Sequence, residues 1–281
     1  MVNLVTVVGR NTHILPHMIA HYENMVDNIY VGVYKHFDDD PIIDEVTDLG
    51  IEPFMVCTSP PYNADFITEM YNSIKITKPN DWWIVADSDE LQVYPYSIDE
   101  IVKECESKGY TFVTGGFLDR IGPDGSFPEV KRDTNIHKAF PLAGFFRYPM
   151  CNACPNKVTL CKGDQEVSSG QHYAILDDTK SGNSWGRWHK KRMPVDDVFT
   201  QVHHFKWDSS AKQRIKEVSE TIEDYTWWWE YKKLYDQLDK SDWKVDIKNT
   251  EYKVESLKEF NYINYADYRQ WNELTDLIIS I

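Results

Sequence analysis

The sequence predicts an α/β fold: a mostly parallel sheet with helices on both faces, followed by a helical C-terminal extension. Three observations predict it. Short β-branched apolar runs alternate with amphipathic stretches through the first 86 residues, the links between them are short, and a long helix-period pattern begins at Ser209. Strands that alternate with helices on short links must run parallel, because each helix carries the chain back to the same edge.

Taken in order, residues 4–8 form a β-branched run that leaves into Gly9, Arg10 and Asn11, a buried strand ending in a polar loop. Residues 14–26 carry apolar side chains at helical spacing, with Pro16 tolerated in the first turn. A second strand, 29–34, runs into Lys35, His36 and the acids Asp38, Asp39 and Asp40. A short helix over 42–49 is closed by Gly50, a third strand covers 51–57, and Pro60 and Pro61 mark a loop. The helix over 66–76 feeds a strand at 82–86. Ser97, Asp99, Glu100 and Gly109 delimit a helix over 98–108, and another strand spans 110–118. Beyond residue 130 the pattern loosens, with short strands expected at 157–161 and 170–176, a strand at 200–207 and a helix over 209–240. The three tryptophans Trp227, Trp228 and Trp229 wrap too far around a helix to share one face, and packing on the main domain is expected for some of them. A domain over 1–207 with a helical extension over 208–281 packed on it is the expected organisation.

Composition bounds the function. A chain of 281 residues is long enough for a sizeable core, and a net charge of -15 argues against a nucleic-acid binder, which neutralises phosphates with Lys and Arg. The sequence contains no apolar run of membrane-spanning length and its first ten residues lack signal-peptide features, so the expected location is cytoplasmic, with any membrane attachment peripheral. Five cysteines do not read as a disulfide framework. Cys151 and Cys154, with Cys161 and His172 further on, admit a zinc site or simply buried or surface thiols.

The chemistry concentrates in 81–91, where an apolar run ends in Asp87, Asp89 and Glu90. Carboxylates crowded at a strand end repel one another unless a cation sits among them, and hard oxygen ligands suit Mg²⁺ or Mn²⁺. A capped acidic turn is the other reading of the same residues. Between Lys180 and Arg192 the chain turns basic, with Arg187, Lys190, Lys191 and His189 among Gly182, Gly186, Trp185 and Trp188. Such a stretch reads as a lid over an anionic ligand or as a solvated loop. His203 and His204 are neighbours on a strand, so one alone can face a given site.

Together, Asn11 before a helix bearing His17 and His21, the Trp82 to Glu90 run, Phe117 to Ile121 with Pro123-Asp124-Gly125, Asn156-Lys157-Val158, Gly170-Gln171-His172 and His203 to Trp207 resemble the GT-A glycosyltransferases of the family-2-like type. The resemblance spans about residues 3 to 207. It implies a Rossmann-like sheet that binds a nucleotide-sugar donor, with UDP the first nucleotide expected, and a Mn²⁺ or Mg²⁺ ion on the donor diphosphate. Carried over by motif, Asp89 holds the metal, Asp87 touches the metal, its waters or the ribose, and one of His203 and His204 completes the shell, with His172 a third candidate histidine. Arg10, Asn11, Lys35 and His36 would line base and ribose, and cations of the basic stretch, Lys190 and Arg192 among them, would meet the diphosphate.

The reaction expected is transfer of the sugar to a hydroxyl of a glycan or glycoconjugate. An inverting enzyme needs a carboxylate to take the hydroxyl proton, and Asp119 is the candidate, a salt bridge with Arg120 being its other reading. A non-catalytic sugar-binding or nucleotide-binding protein on the same fold, and another metal-dependent phosphate enzyme, are the rival functions. The sequence contains no phosphate loop of the G-x-x-x-x-G-K type.

Overall fold

A computed structural model describes residues 1–59, 63–176, 189–220 and 228–257. Strand β1 (Val2–Val8), helix α1 (Leu15–Tyr22), β2 (Asn28–Lys35), α2 (Ile42–Asp48), β3 (Met55–Thr58), α3 (Ala64–Lys75) and β4 (Trp82–Val85) alternate as the pattern requires. β1 lies between β2 and β4, β3 pairs with β2, and all three pairings are parallel. Alternate β1 side chains point to opposite faces. Val5 and Val7 pack with Met70, Tyr71 and Ile74 of α3. Leu4 and Val8 pack on the other face with Leu15 and Met18 of α1 and Ile42 and Val46 of α2. Helices therefore cover both faces, and every residue of β1 is buried.

The later strands enter differently. β5 (Glu90–Val93), α4 (Ile98–Lys108), β6 (Phe112–Ile121), α5 (Ile136–Ala139), β7 (Leu142–Gly144), α6 (Arg147–Cys151), β8 (Asn156–Lys162) and β9 (Thr200–His204) follow, then α7 (Ala211–Ser219), α8 (Trp228–Lys240) and β10 (Glu255–Ser256). β8 runs antiparallel between β4 and β6, so the main path of the sheet reads β10-β7-β6-β8-β4-β1-β2-β3. β9 lies parallel to β6 and antiparallel to β5. The expected α/β sheet is thus present, parallel throughout its N-terminal half.

Several boundaries differ from the sequence reading for physical reasons. The strand expected at 110–118 continues to Ile121, buried throughout, so Asp119 and Arg120 sit inside it. No strand forms over 170–176, where positive φ at Gly170 (66°) and Gln171 (53°) turns the chain and leaves a single bridge between Val167 and Ala174. β3 begins only after Pro53, which has no amide to donate to a ladder. α4 keeps its expected limits, with a reciprocal Ser97 and Glu100 capping box and Gly109 left-handed at φ 75°. Pro60, Pro61, the basic residues from Lys180 to Trp188, Trp227 and the end of the chain after Leu257 lie outside the described residues.

A third core joins the extension to the sheet. Ile121, Phe146, Met150 and Trp207 pack with Ala211 and Ile215 of α7, Leu234 and Leu238 of α8, and Trp243 and Val245.

Candidate active site

The C-terminal ends of β1, β2 and β4 open into a cavity of about 590 Å³. That is where open α/β sheets place ligands, and the volume suits a molecule larger than a single sugar. On the β1 and β2 side its wall is apolar and aromatic, from Val7, Tyr34, Phe37, Ala64 and Ile67, with Arg10, Asn11 and His36 at the edge. Arg10 Nη1 reaches Asp40 Oδ2 at 3.2 Å, and the same oxygen accepts from the His36 amide, so one buried carboxylate ties the two loops together. Asn11 holds φ 62°, a conformation Asn tolerates better than most residues.

At the centre stand the three acids that end β4. They do not share one environment. Lys157, 1 % exposed, places Nζ 3.0 Å from Asp87 Oδ2 and 2.7 Å from Glu90 Oε1. Tyr71 donates to Asp87 Oδ1 at 2.9 Å, so both Asp87 oxygens already have protein partners. Burial alone would raise the Asp87 carboxyl, but the Lys157 ammonium and the Tyr71 hydroxyl reverse this and hold it below the ordinary range. Burial pushes Glu90 up, Lys157 opposes, and the Asp87 charge adds to the rise. A lysine thus fills the place between Asp87 and Glu90 where a metal was expected. Asp87 as a metal ligand does not fit this arrangement.

Asp89 is the acid left over, and it faces His204. β9 pairs with β6 in a register that sets His204 beside Asp119 and with β5 in one that sets it opposite Glu90. His204 Nε2 lies 3.8 Å from Asp89 Oδ1, and Nδ1 lies 3.2 Å from Asp119 Oδ1. Burial would raise the Asp119 carboxyl, yet its bonds to His204 and Trp207 lower it, so it is ionised and can only accept. His204 must therefore donate from Nδ1. Burial also lowers the His204 pKa, with Asp89 and Asp119 opposing, and its Nε2 is the ring nitrogen that faces Asp89.

The structure separates other residues that the sequence grouped. His203 points to the opposite face, where Arg120 Nη1 donates to its Nδ1 at 3.0 Å, so it cannot join Asp89. Asp119 is 1 % exposed, accepts from His204, from Trp207 Nε1 at 2.9 Å and from the Arg147 amide at 3.1 Å, and is absent from the cavity wall. It cannot receive a proton from a substrate there. No ion pair between Asp119 and Arg120 stands in its place, since Arg120 turns to His203 and to the Phe140 carbonyl. Lys35 bends to the Asp38 carbonyl and is not on the wall. Lys190 and Arg192 are not on it either; Arg192 is 2 % exposed and bridges Phe112, at the end of β6 remote from Asp119. The thiols do not gather: Cys151 bonds the Arg147 carbonyl, Cys154 lies near Tyr173, and Cys161 is in the sheet core.

Residues whose roles the sequence did not announce complete the wall: Arg147, Lys157, Lys206, Arg214, Glu230 and Tyr231. His172, a candidate metal histidine by sequence, also lines it, with Nδ1 bonded to the Asn156 carbonyl at 2.7 Å. The Phe117 ring lies 4.8 Å from that of His204, tilted by 33°, and Arg147 lies over the Phe117 ring at 5.5 Å. Lys157, His172 and Lys206 fall inside the segments that carry the family resemblance, which was the one available signal. Arg147 and Glu230 lie outside those segments. Among the described residues no group of three or more His, Cys, Asp and Glu is placed to hold a metal ion, and none of the helices is long and apolar enough to cross a membrane.

No protein-family model matches this chain, and no curated protein matches it. Among solved structures it is similar to a putative glucose-1-phosphate thymidylyltransferase from Bacillus anthracis in complex with a sucrose, at 11% identity and TM-score 0.34, covering 83% of this chain and 99% of that one. It is also similar to S. aureus TarS 1-349, at 10% identity and TM-score 0.33, covering 88% and 73%. A third is a 4-diphosphocytidyl-2C-methyl-D-erythritol synthase, at 9% identity and TM-score 0.30, covering 58% and 75%. Likeness at this level fixes no activity, and the chemistry rests on the site itself.

Proposed function

We propose that this chain is a divalent-cation-dependent glycosyltransferase that moves a sugar from a nucleoside diphosphate sugar, UDP-linked in the first instance, to a hydroxyl of a glycan or glycoconjugate. The observation that carries the reading is the approach of His204 Nε2 to Asp89 Oδ1, 3.8 Å, inside the sheet-edge cavity. With Nδ1–H given to Asp119, a neutral ring would turn its Nε2 lone pair to Asp89, and a cation between two such acceptors would stabilise them. The Asp119 to His204 hydrogen bond is the outer support that histidine ligands usually have. One carboxylate and one imidazole fit Mn²⁺ or Mg²⁺ of the kind that takes its other ligands from water and substrate phosphates. Asp87 and Glu90, engaged by Lys157, do not add to that set.

The wall supports the rest of the assignment. The aromatic side formed by Tyr34 and Phe37 suits a nucleobase, with Arg10 and His36 beside the ribose. Among the described residues, five cationic and six acidic side chains line the cavity. A bound divalent ion would attract the donor diphosphate and neutralise the charge that grows on it as it leaves. Arg147, Lys206 and Arg214 follow on the far side, where the diphosphate and sugar would extend and where fixed cations stabilise developing negative charge.

Calorimetry with UDP, GDP and dTDP, each with Mn²⁺ and with EDTA, tests the reading on the native chain and on Asp89→Ala. Metal-dependent binding of one nucleotide, weakened at least tenfold in the variant, is the expected result. A folded protein that binds none of the three would sink the assignment, and tight binding without release of nucleotide from any sugar donor would favour the non-catalytic alternative.

A further inference from the structure

With Asp119 sealed beneath His204, an inverting transfer needs another group to take the proton of the acceptor hydroxyl, and the cavity wall narrows the choice. Asp87 and Glu90 are held by Lys157, and Asp89 faces His204. Glu217 and Glu220, on or just after α7, are exposed and engaged by Gln213 and Lys216. Glu230 differs from all of these. Its side chain is 8 % exposed, it lines the cavity, and its carboxylate accepts no hydrogen bond from the described residues. Its ion pair with Arg147 is long, 3.7 Å.

Position agrees with chemistry. Arg147, which meets Glu230, begins α6 directly after β7 and also lies over Phe117, whose ring lies against that of His204. Glu230 therefore sits on the β6 and β7 side of the proposed metal position, across the cavity from the aromatic nucleobase wall of β1 and β2. A sugar held beyond the diphosphate would present its anomeric carbon on this side.

We propose that Glu230 is the catalytic base of the transfer, an inference that rests on the glycosyltransferase reading. The acceptor O–H gives its proton to the Glu230 carboxylate while the oxygen bonds to the anomeric carbon. The bond from that carbon to the phosphate oxygen breaks, and its electron pair leaves with the nucleoside diphosphate. Direct attack of this kind inverts the anomeric configuration. Burial raises the Glu230 carboxyl, against the opposing cations Arg147, Lys206 and Lys233, which makes it a better proton acceptor than a solvent-exposed glutamate.

The test uses UDP-glucose, UDP-galactose, UDP-N-acetylglucosamine, GDP-mannose and dTDP-glucose with Mn²⁺, with water as acceptor and released nucleotide as readout. On the best donor, Glu230→Gln should lower kcat at least 100-fold, flatten the acidic limb of the pH profile and leave nucleotide affinity and the melting temperature unchanged. Glu230→Ala should recover turnover with added formate, which restores a carboxylate but would not repair a purely structural loss. Proton NMR of the first sugar released should show inversion. An active native protein whose Glu230→Gln turns over within a few fold, or which releases sugar with retention, would overturn the role of Glu230 and leave the transferase reading standing. A native protein that binds no nucleotide and releases none from any donor would overturn both.

Discussion

Asp119 accepts from His204 Nδ1, Trp207 Nε1 and the Arg147 amide, and those three bonds turn a carboxylate that reads as a base into one that orients a ligand. An Ala there removes the acceptor that both His204 Nδ1 and Trp207 Nε1 use, and with it the bond that aims the imidazole at Asp89. Asp119→Ala is accordingly expected to weaken Mn²⁺-dependent nucleotide binding by about 10–100-fold while leaving binding in EDTA unchanged. Calorimetry checks this, and equal affinities in Mn²⁺ would remove His204 as a ligand. The acids were legible in the sequence because Asp87, Asp89 and Glu90 are neighbours in the chain. Their partners were not: Lys157 stands 70 residues from Asp87 and His204 stands 85 from Asp119. Strand pairing decides which acid meets which cation, and a linear motif does not contain that pairing.

β9 reaches the site because β6 lets it come close. Gly115 of β6 faces Thr200 of β9, and a Cβ at that position would lie 2.1 Å from the Thr200 carbonyl oxygen. Since the clash is with backbone, no side-chain rotation relieves it, and β9 must shift along with His204. Gly115→Ala should cost about 1–3 kcal/mol of stability, measured by denaturant unfolding, and weaken metal-dependent binding by displacing the imidazole from Asp89. Unchanged stability would mean that the two strands do not approach so closely. The first four strands and the helices between them could be read from pattern, because each is bounded by a turn signal and backed by a buried face. β5, β7 and β10 could not, being 4, 3 and 2 residues long, too short for a period to declare itself. β5 also breaks the apolar rule, since Glu90 and Gln92 are both fully buried. Lys157 partners the first, and the side chain of the second donates to the Val85 carbonyl and accepts from the Tyr94 hydroxyl.

On the scale of the molecule, the boundary suggested at residue 207 cuts through a core and through the cavity. Trp207, fully buried, packs with Phe146 and with Ile215, Leu234, Leu238 and Trp243 from beyond the boundary. Arg214, Glu230 and Tyr231 from the same part of the chain line the cavity. Burial of one large apolar side chain stabilises by about 1.5–3 kcal/mol, so losing several of these contacts removes as much as the roughly 5–15 kcal/mol by which a domain is stable at all. A chain ended after Trp207 should therefore show no cooperative thermal transition where the full chain shows one. Circular dichroism on heating distinguishes the cases. A sharp transition in the shortened chain would make the extension an appendage that the sheet can do without. Its absence would mean that the helices carrying the acceptor side of the cavity are also what holds Trp207 over Asp119, so that the support of His204 and the far wall of the site depend on the same packing.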